Sequence, residues 1–121
     1  MDIESFRNYV LQLPGVEETF PFGPDTLVYK VMGKVFAITG LDDDVFEVNL
    51  KCDPEKAVLL REEYPDQVRA GYHMNKKHWN TVMFEEGLSN KLLHDLIDHS
   101  YALVVDGLPL KVKAELEKLN G

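Results

Sequence analysis

A chain of 121 residues has the size of one domain and can bury one core. Its 45% hydrophobic and 28% charged residues exclude a disordered chain, no apolar run approaches a membrane span, and the MDIESF start lacks the basic-then-apolar pattern of an export signal. A formal net charge of −8 and a pI near 4.9 exclude a general electrostatic grip on nucleic acid or anionic membrane, but not a local basic patch.

The elements follow in chain order. Ile3, Phe6, Val10 and Leu13 fall on one face of a helix over 2–13, which Pro14-Gly15 ends. Residues 14–26 hold three prolines and two glycines and read as a long ordered loop, with Phe20 and Phe22 as buried anchors. The β-branched and aromatic runs 27–32 and 34–39 form a hairpin around Gly33. After an acidic turn, 45–51 alternates strictly: Phe46, Val48 and Leu50 point one way, Glu47, Asn49 and Lys51 the other, so this strand is half-buried. Asp53-Pro54 starts a helix that stops before Pro65. Strands over 68–74 and 79–85 are joined by Asn75-Lys76-Lys77-His78. Ser89 or Asn90 caps a helix to Val105, with Leu92, Leu93, Leu96, Ile97, Tyr101, Val104 and Val105 as its buried stripe. Gly107 ends it and Pro109 opens a last helix to Leu119. The expected fold is α+β, one domain over 1–121: a five-stranded antiparallel sheet with helices on one face.

Catalytic patterns are absent. There is no phosphate-cradling glycine loop and no G-x-S-x-G, and the single Cys52, which also rules out an internal disulfide, has no base near it in sequence. The expectation is therefore no enzyme, no cofactor and a cytosolic protein. His94 and His99 lie about 140° apart around their helix and do not face one ligand sphere. With Asp95 and Asp98 they read as a solvated face of i,i+4 pairs that binds no metal. Asp42-Asp43-Asp44 reads as a charged turn, without the spacing of a calcium loop.

Residues 69–80 stand apart. Arg69, Lys76 and Lys77 bring three positive charges, His73 and His78 lie among them, and there is no acid. Tyr72, Trp79, Asn75 and Asn80 interleave with these cations, and Lys30 and Lys51 on outer strand faces extend the same patch. Cations with aromatics and amides are the residue types that contact phosphates and stack on bases. The competing reading makes Tyr72 and Trp79 core residues and the lysines a solubilising turn.

Several stretches resemble the bacterial MmcQ/YjbR family: Leu13-Pro14-Gly15-Val16-Glu17-Glu18, Phe20-Pro21-Phe22-Gly23, Asn49-Leu50-Lys51-Cys52-Asp53-Pro54, Gly71-Tyr72-His73-Met74-Asn75-Lys76-Lys77-His78-Trp79-Asn80 and Ser100-Tyr101-Ala102-Leu103-Val104. The resemblance covers nearly the whole chain. It implies a two-layer α/β domain of the architecture seen in frataxin-like proteins and secretion chaperones, and DNA as a partner. Three functions follow for test. The first is nucleic-acid binding through the basic hairpin. The second is a protein-interaction module in the manner of the chaperones, without catalytic activity. Ranked below both is iron binding on an acidic surface, in the manner of frataxin.

Overall fold

A computed structural model describes residues 1–41, 44–71 and 74–120, the side chain of Asn120 excepted. In chain order the elements are α1 (Ile3–Leu11), β1 (Val16–Thr19), β2 (Thr26–Val31), β3 (Lys34–Gly40), β4 (Glu47–Lys51), α2 (Pro54–Glu63), β5 (Val68–Ala70), β6 (Trp79–Met83), α3 (Asn90–Asp106) and α4 (Leu110–Asn120). The strands form one antiparallel sheet in the order β1-β2-β3-β4-β6-β5. It has six strands rather than five. The additional one, β1, lies inside the stretch read as a loop.

Local chemistry sets the ends of the elements. Asp2, Asp53 and Ser89 each cap a helix, their side chains accepting from the backbone N–H of Ser5, Lys56 and Leu92. The β2–β3 turn has two residues, Met32 and Gly33, both at positive φ (49° and 84°), the mirror-image turn that matches strand twist. Opposite Tyr29 and Lys30 the register slips: Tyr29 faces Ala37 and Lys30 faces Val35, so Phe36 is an extra residue in a bulge. Phe36 is thereby turned toward the helix layer, where its ring meets Tyr101 edge-on at 5.6 Å.

The core lies between the sheet and the helices. Leu27, Tyr29, Val31, Val48, Leu50 and Val82 from the strands pack with Phe6 and Val10 of α1, Ala57 and Leu60 of α2, and Leu93, Leu96, Ile97 and Val104 of α3. The expected α3 stripe is present: Leu92, Tyr101 and Val105 are partly buried at its margins, and Ser100 is a fully buried polar member. Ser100 Oγ donates to the Phe36 carbonyl (2.6 Å) and accepts from the Lys51 N–H (2.9 Å), tying α3 to β3 and β4. The tip of α4 seats Leu116 against Gly15, beside Met32.

Two expectations about residues 14–26 are corrected. Val16–Thr19 is a strand whose Glu18 turns inward, held by both nitrogens of an Arg7 fork (2.8 and 3.0 Å) and by the hydroxyl of buried Tyr29 (2.7 Å). Phe20 and Phe22 are not buried anchors but 49% and 75% exposed. Of the acidic run, Asp42 and Asp43 lie outside the described residues.

Candidate nucleic-acid interface

The register places the candidate residues on the two faces of the sheet. Directly opposed residues share a face, so Lys51 opposite Trp79 and Asn49 opposite Thr81 lie on the face away from the helices. Lys30, opposite Val35 and two strands away from Lys51, lies on that face too. The next rung runs Thr19, Val28, Ile38, Asn49, Thr81 and Arg69. Thr81 Oγ1 and Asn49 Oδ1 bond at 2.5 Å, which fixes the middle of this rung.

Trp79 is half-buried on the face away from the helices, on which Val28 and Thr81 are buried. Its backbone carbonyl accepts from Gly71, and a Cβ on Gly71 would come within 3.1 Å of the Trp79 Cβ, so the glycine lets β5 approach the tryptophan side. The turn after β5 is built by Asn75. Its side-chain oxygen accepts from Lys77 N–H, and its backbone carbonyl accepts from His78 and Trp79. Lys76 and Lys77 project from this turn, exposed. The His78 carbonyl accepts from Cys52 N–H at 2.8 Å, docking the turn on the end of β4.

One residue that the sequence reading missed holds this arrangement. Arg61 of α2 donates from Nε to Asn80 Oδ1 (2.7 Å) and from its terminal nitrogen to the Lys76 carbonyl (2.6 Å). Asn80 in turn donates to the Ala57 carbonyl at 3.4 Å. Arg61 thus braces the lysine turn against α2. Its signal in sequence was weak, because its partners lie 15 and 19 residues away. Beside the brace, Pro54, Val58, Leu59, Arg61 and Lys77 line an open groove of about 580 Å³.

The expected patch is therefore partly assembled. Lys30, Lys51 and Trp79 share the face away from the helices, Lys76 and Lys77 stand exposed in the turn before β6, with Lys77 lining the groove along α2, and none of these lysines makes an ion pair among the described residues. Arg69 is committed elsewhere, both carboxylate oxygens of Glu47 accepting from it at 2.8 and 2.9 Å. Asn80 points into the core at 2% exposure and is withdrawn from any surface. Asn75 and His78 shape the turn through the bonds already given. Tyr72 and His73 lie outside the described residues.

The other candidates also find places. The two histidines of α3 are half-buried, not solvent-facing, and neither expected His–Asp pair forms. His94 stacks on Tyr9 at 4.1 Å, Tyr9 donates to Asp98 at 2.6 Å, and Asp95 pairs with Lys91 at 3.6 Å. Burial and the Asp98 contact push the Tyr9 hydroxyl up to about 12. His99 Nε2 accepts from Asp53 N–H at 3.1 Å, and burial lowers its pKa. Cys52 is packed in the core, where burial pushes its thiol up. Among the described residues, no group of three or more His, Cys, Asp or Glu gathers to hold a metal, and no helix is long and apolar enough to cross a membrane.

Comparison with known proteins places this architecture among relatives. The YjbR family model matches residues 11–103. The uncharacterised protein YbdF of Escherichia coli O157:H7 is 47% identical over 105 residues, spanning 87% of this chain and 85% of that one. The uncharacterised protein YjbR of Escherichia coli (strain K12) is 33% identical over 119 residues, 98% of this chain and all of that one. The crystal structure of the Deinococcus radiodurans protein DR2400 superposes with a TM-score of 0.89 at 37% identity, over 95% of this chain and 87% of that one.

Proposed function

The chain belongs to the YjbR family, and we propose that it binds single-stranded nucleic acid at the Lys51–Trp79 end of the sheet face away from its helices. One observation supports the reading: Lys51 and Trp79 are direct cross-strand partners on that face, and Lys76 and Lys77 are exposed in the turn that leads into the Trp79 strand. An exposed sheet bearing an aromatic flanked by cations is a surface on which bases stack while lysines follow the backbone. Trp79 supplies the stacking plane. Lys51 and Lys30, on the same face, and the turn lysines supply phosphate contacts. Among the described residues no helix protrudes from this face toward a duplex groove, which favours unpaired bases.

The test is titration of a short labelled single strand at several salt concentrations. For single strands each phosphate contact contributes roughly 0.7 to the log–log salt slope, so Lys76→Glu/Lys77→Glu is expected to flatten it by about 1.4. Trp79→Leu, which keeps an apolar side chain, is expected to cost roughly 1–3 kcal/mol per stacked base. Both variants are first matched to the parent in thermal melting. If the parent fails to bind at low salt, or the folded lysine variant binds as the parent does, this reading fails and the protein-interaction module takes its place.

A further inference from the structure

The opposite end of the sheet carries a different surface. Two hollows of about 470 and 250 Å³ meet there between α1 and the ends of β1 and β3, sharing Ile3 and Leu41 as a common wall. Phe20 and Leu41 stand 49% and 41% exposed along this seam. Large apolar side chains gathered in a concave surface mark an interaction site more often than scattered ones do.

The unpaired side-chain charge around the seam has one sign. Glu4 lines the larger hollow; Asp44 and Glu85 line the smaller; and none of the three has an ion-pair partner among the described residues. Arg7 is the cation of the described lining, and its fork is already spent on Glu18, whose carboxyl it holds below the usual range. We infer that this acid-rimmed apolar seam docks a cationic amphipathic segment of a partner protein. One or two apolar side chains of that segment seat against Ile3, Phe20 and Leu41, while its lysines or arginines face Glu4, Asp44 and Glu85. The rim charge argues against nucleic acid or an anionic lipid surface here, since each would bring more negative charge to unpaired carboxylates. This surface is separate from the Lys51–Trp79 face and does not depend on it.

The probe is a labelled synthetic peptide of leucine and lysine at helical spacing, followed by fluorescence anisotropy. Phe20→Ser/Leu41→Ser, at exposed positions, is expected to weaken binding about tenfold or more with an unchanged melt. Glu4→Gln/Glu85→Gln should weaken it severalfold and flatten its salt dependence. Glu115→Gln/Glu117→Gln removes the same charge from exposed positions on α4 and should leave binding within about twofold of the parent. Equal loss in both glutamate pairs would mean general attraction to an acidic protein and would overturn the inference, as would an unaffected Phe20/Leu41 variant or no binding by the parent. Sedimentation of the parent alone is the second measurement. A dimer abolished by Phe20→Ser/Leu41→Ser would assign the seam to a second copy of the chain and refute a heterologous partner.

Discussion

Replacing Ser100 with alanine tests how α3 is tied to β3 and β4. The hydroxyl is fully buried and makes two bonds, donating to the Phe36 carbonyl at the bulge and accepting from the Lys51 N–H. Alanine fits the space but leaves one buried donor and one buried acceptor without partners. Each orphaned group costs about 1–3 kcal/mol, and partial relaxation of the bulge brings the expected total to roughly 2–4 kcal/mol. A domain of this length has an unfolding entropy of roughly 2.1 cal/mol/K per residue, so the midpoint should fall by roughly 8–15 °C. Urea denaturation gives the free energy directly. Tyr101→Phe serves as the comparison. Its hydroxyl makes one bond, to the Pro14 carbonyl at 2.5 Å, at a half-buried position, and its loss should cost about 1 kcal/mol. A Ser100→Ala variant within about 0.5 kcal/mol of the parent would refute the bridging role, because an effect that small is the usual range of a surface substitution.

Two further outcomes are expected. Gly71→Ala forces its methyl against the Trp79 Cβ at 3.1 Å and the Trp79 carbonyl at 3.3 Å, so β5 and β6 must part; the cost is about 1–3 kcal/mol, with a shift in the emission of the single tryptophan. His99 accepts a backbone hydrogen bond as the neutral imidazole, and burial lowers its pKa in the fold, with Lys56 lowering it further and Asp53 opposing. The unfolded chain therefore takes up this proton first as pH falls. Stability from His99 is full above the unfolded value near 6.5 and is lost as pH drops from there through the lowered folded value. His99→Gln should remove that slope from denaturation midpoints measured between neutral and mildly acidic pH; an unchanged slope would count against it.

Sequence periodicity revealed those parts of the fold that local spacing controls. The α3 stripe of Leu93, Leu96, Ile97 and Val104 and the alternation of Val48 and Leu50 each bury one face, so the pattern and the burial coincide. β1 escaped because Val-Glu-Glu-Thr offers four residues and no apolar alternation. Its inward Glu18 is tolerated only because Arg7 and Tyr29 reach it from other elements. Phe20 and Phe22 were misplaced by the rule that aromatics in ordered loops are anchors, and nothing local distinguishes an anchor from an exposed ring. In the candidate site, the lysine turn was legible from composition, but its partnership with Lys51 was not. β6 pairs with β4 and leaves β5 outside, so the Lys51–Trp79 rung exists only through a non-sequential neighbour. Asn80 was read as a surface amide because it sits among polar residues. Its position on the core-facing side follows from the strand register, and its burial is made acceptable by Arg61 and the Ala57 carbonyl.

The overall acidity of the chain bears on approach more than on contact. Along β4, Lys51 lies on the rung with Trp79, and Glu47 lies four residues away on the rung with Met83. At roughly 3.3 Å per residue the two rungs are about 13 Å apart. That exceeds the Debye length of roughly 8 Å at physiological salt, so carboxylates at the Glu47 end, Asp44 and Glu85 among them, act only weakly on a phosphate held beside Lys51. Glu17 lies directly opposite Lys30 at the β1 edge. Lys30 is thus offset by a neighbouring charge, and Lys77 shares its groove with Glu55 and Glu62, whereas Lys51 is opposed by Trp79. The cationic surface is narrow, about three side chains around one tryptophan, which suits a few nucleotides of a single strand better than the long phosphate track of a duplex. The separation works in the other direction as well: those lysines lie too far from the seam of Ile3, Phe20 and Leu41 to neutralise its rim. The sheet therefore holds two surfaces of opposite sign at its two ends, each screened from the other by the length of its strands.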